Sequence, residues 1–68
     1  MMLYEVLTLR EACDMWGLHR KSVLLRVWGE EHRRRKTLIR RSGPVYLIEA
    51  RTMRELWGEP KYERPSYE

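Results

Sequence analysis

The sequence predicts a small α+β fold built from three helices and an antiparallel β-hairpin. Three observations predict it. A capped run with apolar residues at helical spacing ends at Gly17, and a second such run follows it. Two short β-rich runs bracket an Arg-Arg-Ser-Gly-Pro turn, and a third apolar helix pattern closes at Gly58 and Pro60.

Leu3 to Leu7 alternates weakly and reads as a short strand or extended lead-in. Thr8 and Glu11 then form a T-x-x-E capping box, hydroxyl and carboxylate each satisfying an orphan amide at a helix start. Leu9, Ala12, Cys13 and Trp16 fall at i, i+3, i+4 and i+7, one apolar stripe, with Arg10, Glu11 and Asp14 on the other side. Gly17 can take the left-handed conformation that a sharp stop needs. Leu18 to Trp28 reads as a second helix, with Leu18, Val23 and Val27 on one face, Leu24 at its edge, and Lys21, Ser22 and Leu25 opposite. Gly29 closes it. Two helices joined by about three residues are the skeleton of a helix-turn-helix.

From Glu30 to Lys36 every residue is charged or His, which predicts an exposed linker. Thr37-Leu38-Ile39 and Val45-Tyr46-Leu47-Ile48 read as strands, with Arg40 and Arg41 near the hairpin tip. Ala50 to Trp57 reads as the third helix, Met53, Leu56 and Trp57 inward and Arg51, Arg54 and Glu55 outward. The domain is expected to span 1–58, with 59–68 a mobile tail of alternating charge and two prolines.

The chain has 68 residues, near the lower size at which one core supports a fold. A single Cys13 leaves no disulfide to form within the chain, and no signal-peptide or membrane-spanning pattern is present, so a reducing cytoplasm is expected. Formal charge is +4, but its placement says more. Between His19 and Arg41 stand nine basic residues against Glu30 and Glu31, a local net of +7. Such a concentration attracts polyanions, of which nucleic acid is the commonest. Arg outnumbers Lys eleven to three, and the planar guanidinium is the better partner for phosphate and guanine.

The order of capped helix, Gly turn, short helix, basic hairpin and closing helix resembles the excisionase/MerR-type winged helix-turn-helix family. Leu7-Thr8-Leu9-Arg10-Glu11-Ala12, Trp16-Gly17-Leu18, Ser22-Val23, Tyr46-Leu47-Ile48, Met53 and Leu56-Trp57-Gly58 carry the resemblance, which covers about residues 4 to 58. It implies a second helix that enters the major groove and a wing, of two or three strands, that contacts phosphates or the minor groove. It also implies a transcriptional regulator or an excisionase-like architectural factor, in a phage or mobile-element setting.

Candidate DNA contacts follow from the residues and this resemblance together. His19 stands at the cap of the second helix, where the family usually has Ser or Thr. Arg20, Lys21, Ser22 and Leu25 would contact bases or phosphates from that helix. Arg33, Arg34, Arg35 and Lys36 would neutralise phosphates without reading sequence, and Arg40 with Arg41 would enter the minor groove. Leu25 has two readings: contact with thymine methyls, or a partner surface shared with Trp28.

The expected partner is double-stranded DNA, engaged as a dimer or in tandem, since one module of this size buries too little surface for useful specificity. A protein-interaction module, antitoxin-like or acting on the transcription machinery, is the alternative, motivated by Leu24, Leu25 and Trp28. RNA binding would want exposed aromatics on a sheet face, and the strands offer only Tyr46. An enzyme is not expected, because no nucleophile-base-orienter set can be assembled. No metal, cofactor or small-molecule site is expected either: His19 and His32 lack ligand-spaced companions, and no Gly-rich phosphate loop is present.

Overall fold

A computed structural model of the protein describes residues 5–63. Strand β1 (Val6–Thr8) leads into helix α1 (Leu9–Trp16), and α2 (Arg20–Arg34) follows. Strands β2 (Ile39–Ser42) and β3 (Val45–Glu49) then form a hairpin, and α3 (Ala50–Trp57) closes the fold. The sheet is antiparallel throughout, in the order β1-β3-β2. This is the expected α+β arrangement, with β1 as third strand; Leu3 and Tyr4 of the expected lead-in lie outside the described residues.

The start of α1 is set by its capping box. Glu11 N–H donates to Thr8 Oγ1 at 3.1 Å, and Thr8 N–H donates to the Glu11 carboxylate at 3.0 Å. That return contact corrects the expectation that Glu11 faces outward, because it folds the side chain against the helix end and buries it. Leu9, Ala12, Met15 and Trp16 form the inward stripe, joined by Leu7, Val23, Val27, Ile39, Ile48 and Met53 in one core. Cys13, expected within the stripe, is only half-buried. Trp16 is buried with its indole satisfied, Nε1–H donating to Gly58 O at 2.9 Å, so the ends of α1 and α3 are tied together.

Helix α2 differs most from expectation. It does not stop at Gly29 but continues through most of the charged segment to Arg34, ending where Arg35 takes a left-handed conformation at φ 53°. A helical Gly costs only about 1 kcal/mol relative to Ala. The turn after it restores support through Glu30, which accepts from Arg33 and Arg34 at i+3 and i+4. His32, Arg33 and Arg34 also complement the negative end of the helix dipole. Glu31 then closes the turn: its carboxylate accepts from the amides of Leu38 at 2.8 Å and Ile39 at 3.1 Å, while its carbonyl accepts from Arg35 and Lys36.

The hairpin is offset from the expected one. Arg40 and Arg41 belong to β2 and pair with Leu47 and Tyr46 of β3, so they stand on the strand and not at the tip. The tip is Gly43-Pro44, a two-residue connection whose first position needs positive φ; Gly43 supplies it at 59°. Helix α3 spans the expected residues, with Ala50 and Met53 fully buried, Leu56 and Trp57 half-buried, and Glu55 outside. Beyond residue 58, in the expected tail, the amides of Lys61 and Tyr62 both donate to Met15 O at 2.9 Å, at the C-terminal end of α1. The tail residues after Glu63 lie outside the described residues.

Two substitutions test these local arguments. A Cβ at Gly29 meets nothing within 4 Å, so Gly29→Ala should raise unfolding stability by about 1 kcal/mol. Thr8→Ala should lower it by about 1 kcal/mol through loss of the cap. Urea unfolding followed by circular dichroism measures both, and equal midpoints for the three proteins would contradict the account.

Candidate nucleic-acid interface

Gly17, at φ 64°, turns the chain out of α1, and Leu18 N–H donates back to Cys13 O at 3.0 Å. His19 then caps α2, its Nδ1 accepting from Lys21 N–H at 3.3 Å. An imidazole nitrogen thus fills the position that a short hydroxyl or carboxylate usually takes. The next residues, Arg20, Lys21 and Ser22, occupy the first turn of α2 and are all exposed.

Tyr46 joins this turn to the hairpin. The Arg20 guanidinium carbon lies 5.7 Å from the centroid of the Tyr46 ring, and that of Arg41 lies 5.7 Å from the same centroid. Both are within cation–π range. One half-buried ring therefore brings the start of α2 and strand β2 to one side of the molecule. Arg41 is steadied further by donating from Nε to Gly43 O at 3.0 Å. Arg40 faces away from it across the sheet, since neighbouring strand residues point to opposite faces and Arg41 shares the face of Ile39. The pair thus straddles the hairpin.

The remaining cations divide. Arg33 and Arg34, expected in an open linker, are held at Glu30, with Arg33 Nη2 2.6 Å and Arg34 Nε 2.9 Å from its Oε1. Arg34 also reaches Glu55 of α3 at 2.9 Å. Arg35 and Lys36 are exposed at the end of α2. Arg26, which sequence reasoning passed over, stacks on Trp57 with its guanidinium carbon 5.1 Å from the ring. Leu25 and Trp28 are exposed large apolar residues of α2, at 58% and 44%. The organising role of Tyr46 was also missed, because its place opposite Arg41 follows from the strand register and not from the sequence pattern.

The family model of the helix-turn-helix domain matches residues 1–62. The chain belongs to the helix-turn-helix domain family. No curated protein and no solved structure matches it. In this helix-turn-helix domain α1 is the first helix of the motif, Gly17-Leu18-His19 the turn and α2 the second helix, with the hairpin beside them. Membership suggests DNA binding, and domains of this family are typically non-enzymatic.

A cleft of about 350 Å³ opens between α1 and the hairpin, lined by Leu9, Cys13, Arg20, Pro44 and Tyr46 among others. Burial, followed by the nearby Asp14 carboxylate, pushes the Cys13 thiol up, against a smaller opposing effect of Arg20. Among the described residues no group of three His, Cys, Asp or Glu could hold a metal ion, and no helix is long and apolar enough to cross a membrane.

The ion pairs around Glu30 make stability depend on acid. Hydrogen bonding from Arg33, then from Arg34, lowers the Glu30 carboxyl from 4.5 to about 2, and Arg34 also holds Glu55 below its usual value. Carboxyls depressed in the folded state contribute stability that is present above their unfolded value of 4.5; that contribution is lost as pH falls toward about 2, the folded value of Glu30. The urea midpoint should therefore drop across that window. Glu55 is exposed and Glu30 only part-buried at the surface, so the drop is small and shrinks in high salt. Glu30→Gln should flatten it, and an unchanged profile in that variant would remove the pairs from the account.

Proposed function

We propose that this chain binds double-stranded DNA, with the first turns of α2 in the major groove and the β2–β3 hairpin on the adjacent backbone or minor groove. The observation that carries the reading is the shared Tyr46 ring, which sets Arg20 and Arg41 on one side. Lys21 adds an exposed ammonium that makes no ion pair among the described residues. The helix start also favours anions, since its first amides point outward along the dipole.

Arg35 and Lys36 add exposed cations at the end of α2, and Arg40 adds one from the other face of the hairpin, whereas Arg33 and Arg34 are held by Glu30 and Glu55. His19 and Ser22 contribute polar contacts at the groove edge. The element order supports an excisionase/MerR-type arrangement, used in transcription regulation or in architectural assembly on phage or mobile-element DNA. A single module buries only about 600–1,000 Å², which favours two or more copies on one site. A duplex-binding role together with a lone thiol fits a cytoplasmic protein. The exposed Leu25 and Trp28 favour a second reading, a protein-interaction module on the same scaffold.

Fluorescence anisotropy with labelled duplex at several salt concentrations tests the proposal. About six phosphate contacts give a slope near −5 for log affinity against log salt. Lys21→Ala should reduce the slope by about 1, and Arg20→Ala with Lys21→Ala should weaken binding roughly tenfold or more. Salt-insensitive binding, or a double variant that binds as well as the parent, would overturn it. The interaction-module reading expects little change from those variants and loss of partner capture from Leu25→Asp.

A further inference from the structure

We propose that Leu25 is a specificity-determining residue that recognises the C5-methyl groups of thymine, making T-containing steps of the major groove the preferred substrate. The inference rests on the DNA-binding reading above and sharpens it.

Leu25 lies on the outward side of α2, its side chain more than half exposed while Val23 and Val27 are fully buried on the inner side. It stands one turn after Lys21 and at i+3 from Ser22, and Gly29 follows at i+4. Positions three and four apart share one helix face. That face therefore presents an ammonium, a hydroxyl, a projecting isobutyl group, the Trp28 ring one turn on, and a glycine whose Cβ position is open space. The strip from Ser22 to Gly29 runs for about 10 Å at 1.5 Å per residue. This is comparable with the roughly 12 Å width of the major groove.

In such a face the isobutyl group is the large apolar feature nearest the cationic start of the helix, and Trp28, 44% exposed, follows it at i+3. The apolar group that a base pair presents in the major groove is the thymine methyl.

A second copy of the chain is the other occupant to weigh, and charge and area both oppose it. The only carboxylates of α2 are Glu30 and Glu31. One is held by Arg33 and Arg34 and the other by the Leu38 and Ile39 amides. Two copies meeting through this face would set Lys21 against a like charge with no acid of α2 to offset it. Leu25 and Trp28 alone fall well short of the roughly 800 Å² per partner that a stable dimer needs. A polyanion carrying apolar methyls matches both the charge and the small apolar area.

The test replaces thymine by uracil, which removes only the C5-methyl group. A random 20-base-pair pool is enriched on the protein, and one recovered duplex is synthesised with thymine and with uracil. The parent should bind the uracil duplex about three- to fivefold more weakly for each methyl contacted, the worth of one buried methyl. Leu25→Ala, an exposed change to a better helix former, should bind both duplexes alike at an unaltered salt slope.

Equal parent affinity for the two duplexes would overturn the thymine assignment and leave the DNA-binding reading standing. So would a uracil penalty that persists in Leu25→Ala. Failure to bind any duplex would sink the DNA-binding reading itself. Sedimentation of the free protein covers the remaining occupant: a dimer that Leu25→Ala dissociates would give this face to a second copy and overturn the assignment.

Discussion

The carboxylate of Glu31 controls how the two halves of the molecule meet. It accepts from the amides of Leu38 and Ile39 at the entry to β2, while the backbone around it makes the left-handed turn at Arg35. A buried or half-buried strand entry needs partners for its amides, and here they come from the helix just finished. Once that turn is closed, the hairpin runs back along the helical pair. Ile39 and Ile48 then enter the core opposite each other, and the register places Arg41 across from Tyr46. The neighbourhood of Arg20 and Arg41 is thus a downstream result of one glutamate spanning a helix end.

The same geometry sorts the cations that the sequence shows as a single cluster. Arg33 and Arg34 spend their charge internally on Glu30 and Glu55, bracing the end of α2 against α3. Arg26 covers Trp57. Arg20 and Arg41 lean on one ring through the faces of their guanidinium groups, and Arg41 commits only its Nε–H, to Gly43 O, in the contacts described above. Formal charge along a chain is therefore a poor count of what meets a partner. Pairing within the fold decides it.

Much of the fold was legible because local chemistry and global packing agree there. Thr8 with Glu11, Gly17 and the Ala50–Trp57 pattern each state a boundary in residue types whose physics is local. The end of α2 was not legible by the same means. Gly29 looks like a stop, yet Glu30 with Arg33 and Arg34 carries the spacing of helix-stabilising pairs, and that spacing outweighs one glycine. The hairpin was displaced because Arg40 and Arg41 lack β-branching, although Gly43-Pro44 alone suffices for a two-residue connection. Of the candidate site, the start of α2 was readable from its place after a Gly turn. The pairing of Arg41 with Tyr46 required a register that only the closed sheet defines.

The segment after α3 carries a consequence for how the protein is made. Lys61 and Tyr62 supply the amides that satisfy the Met15 carbonyl, and the Tyr62 ring lies close over Gly17. The turn between the first two helices is thus sealed by residues that come after the third helix in the chain. While a nascent chain is still on the ribosome, α1 and α2 can pair, but the carbonyl at their junction lacks these two amides until the segment beyond α3 emerges. The bend on which the motif is built forms early and is locked late.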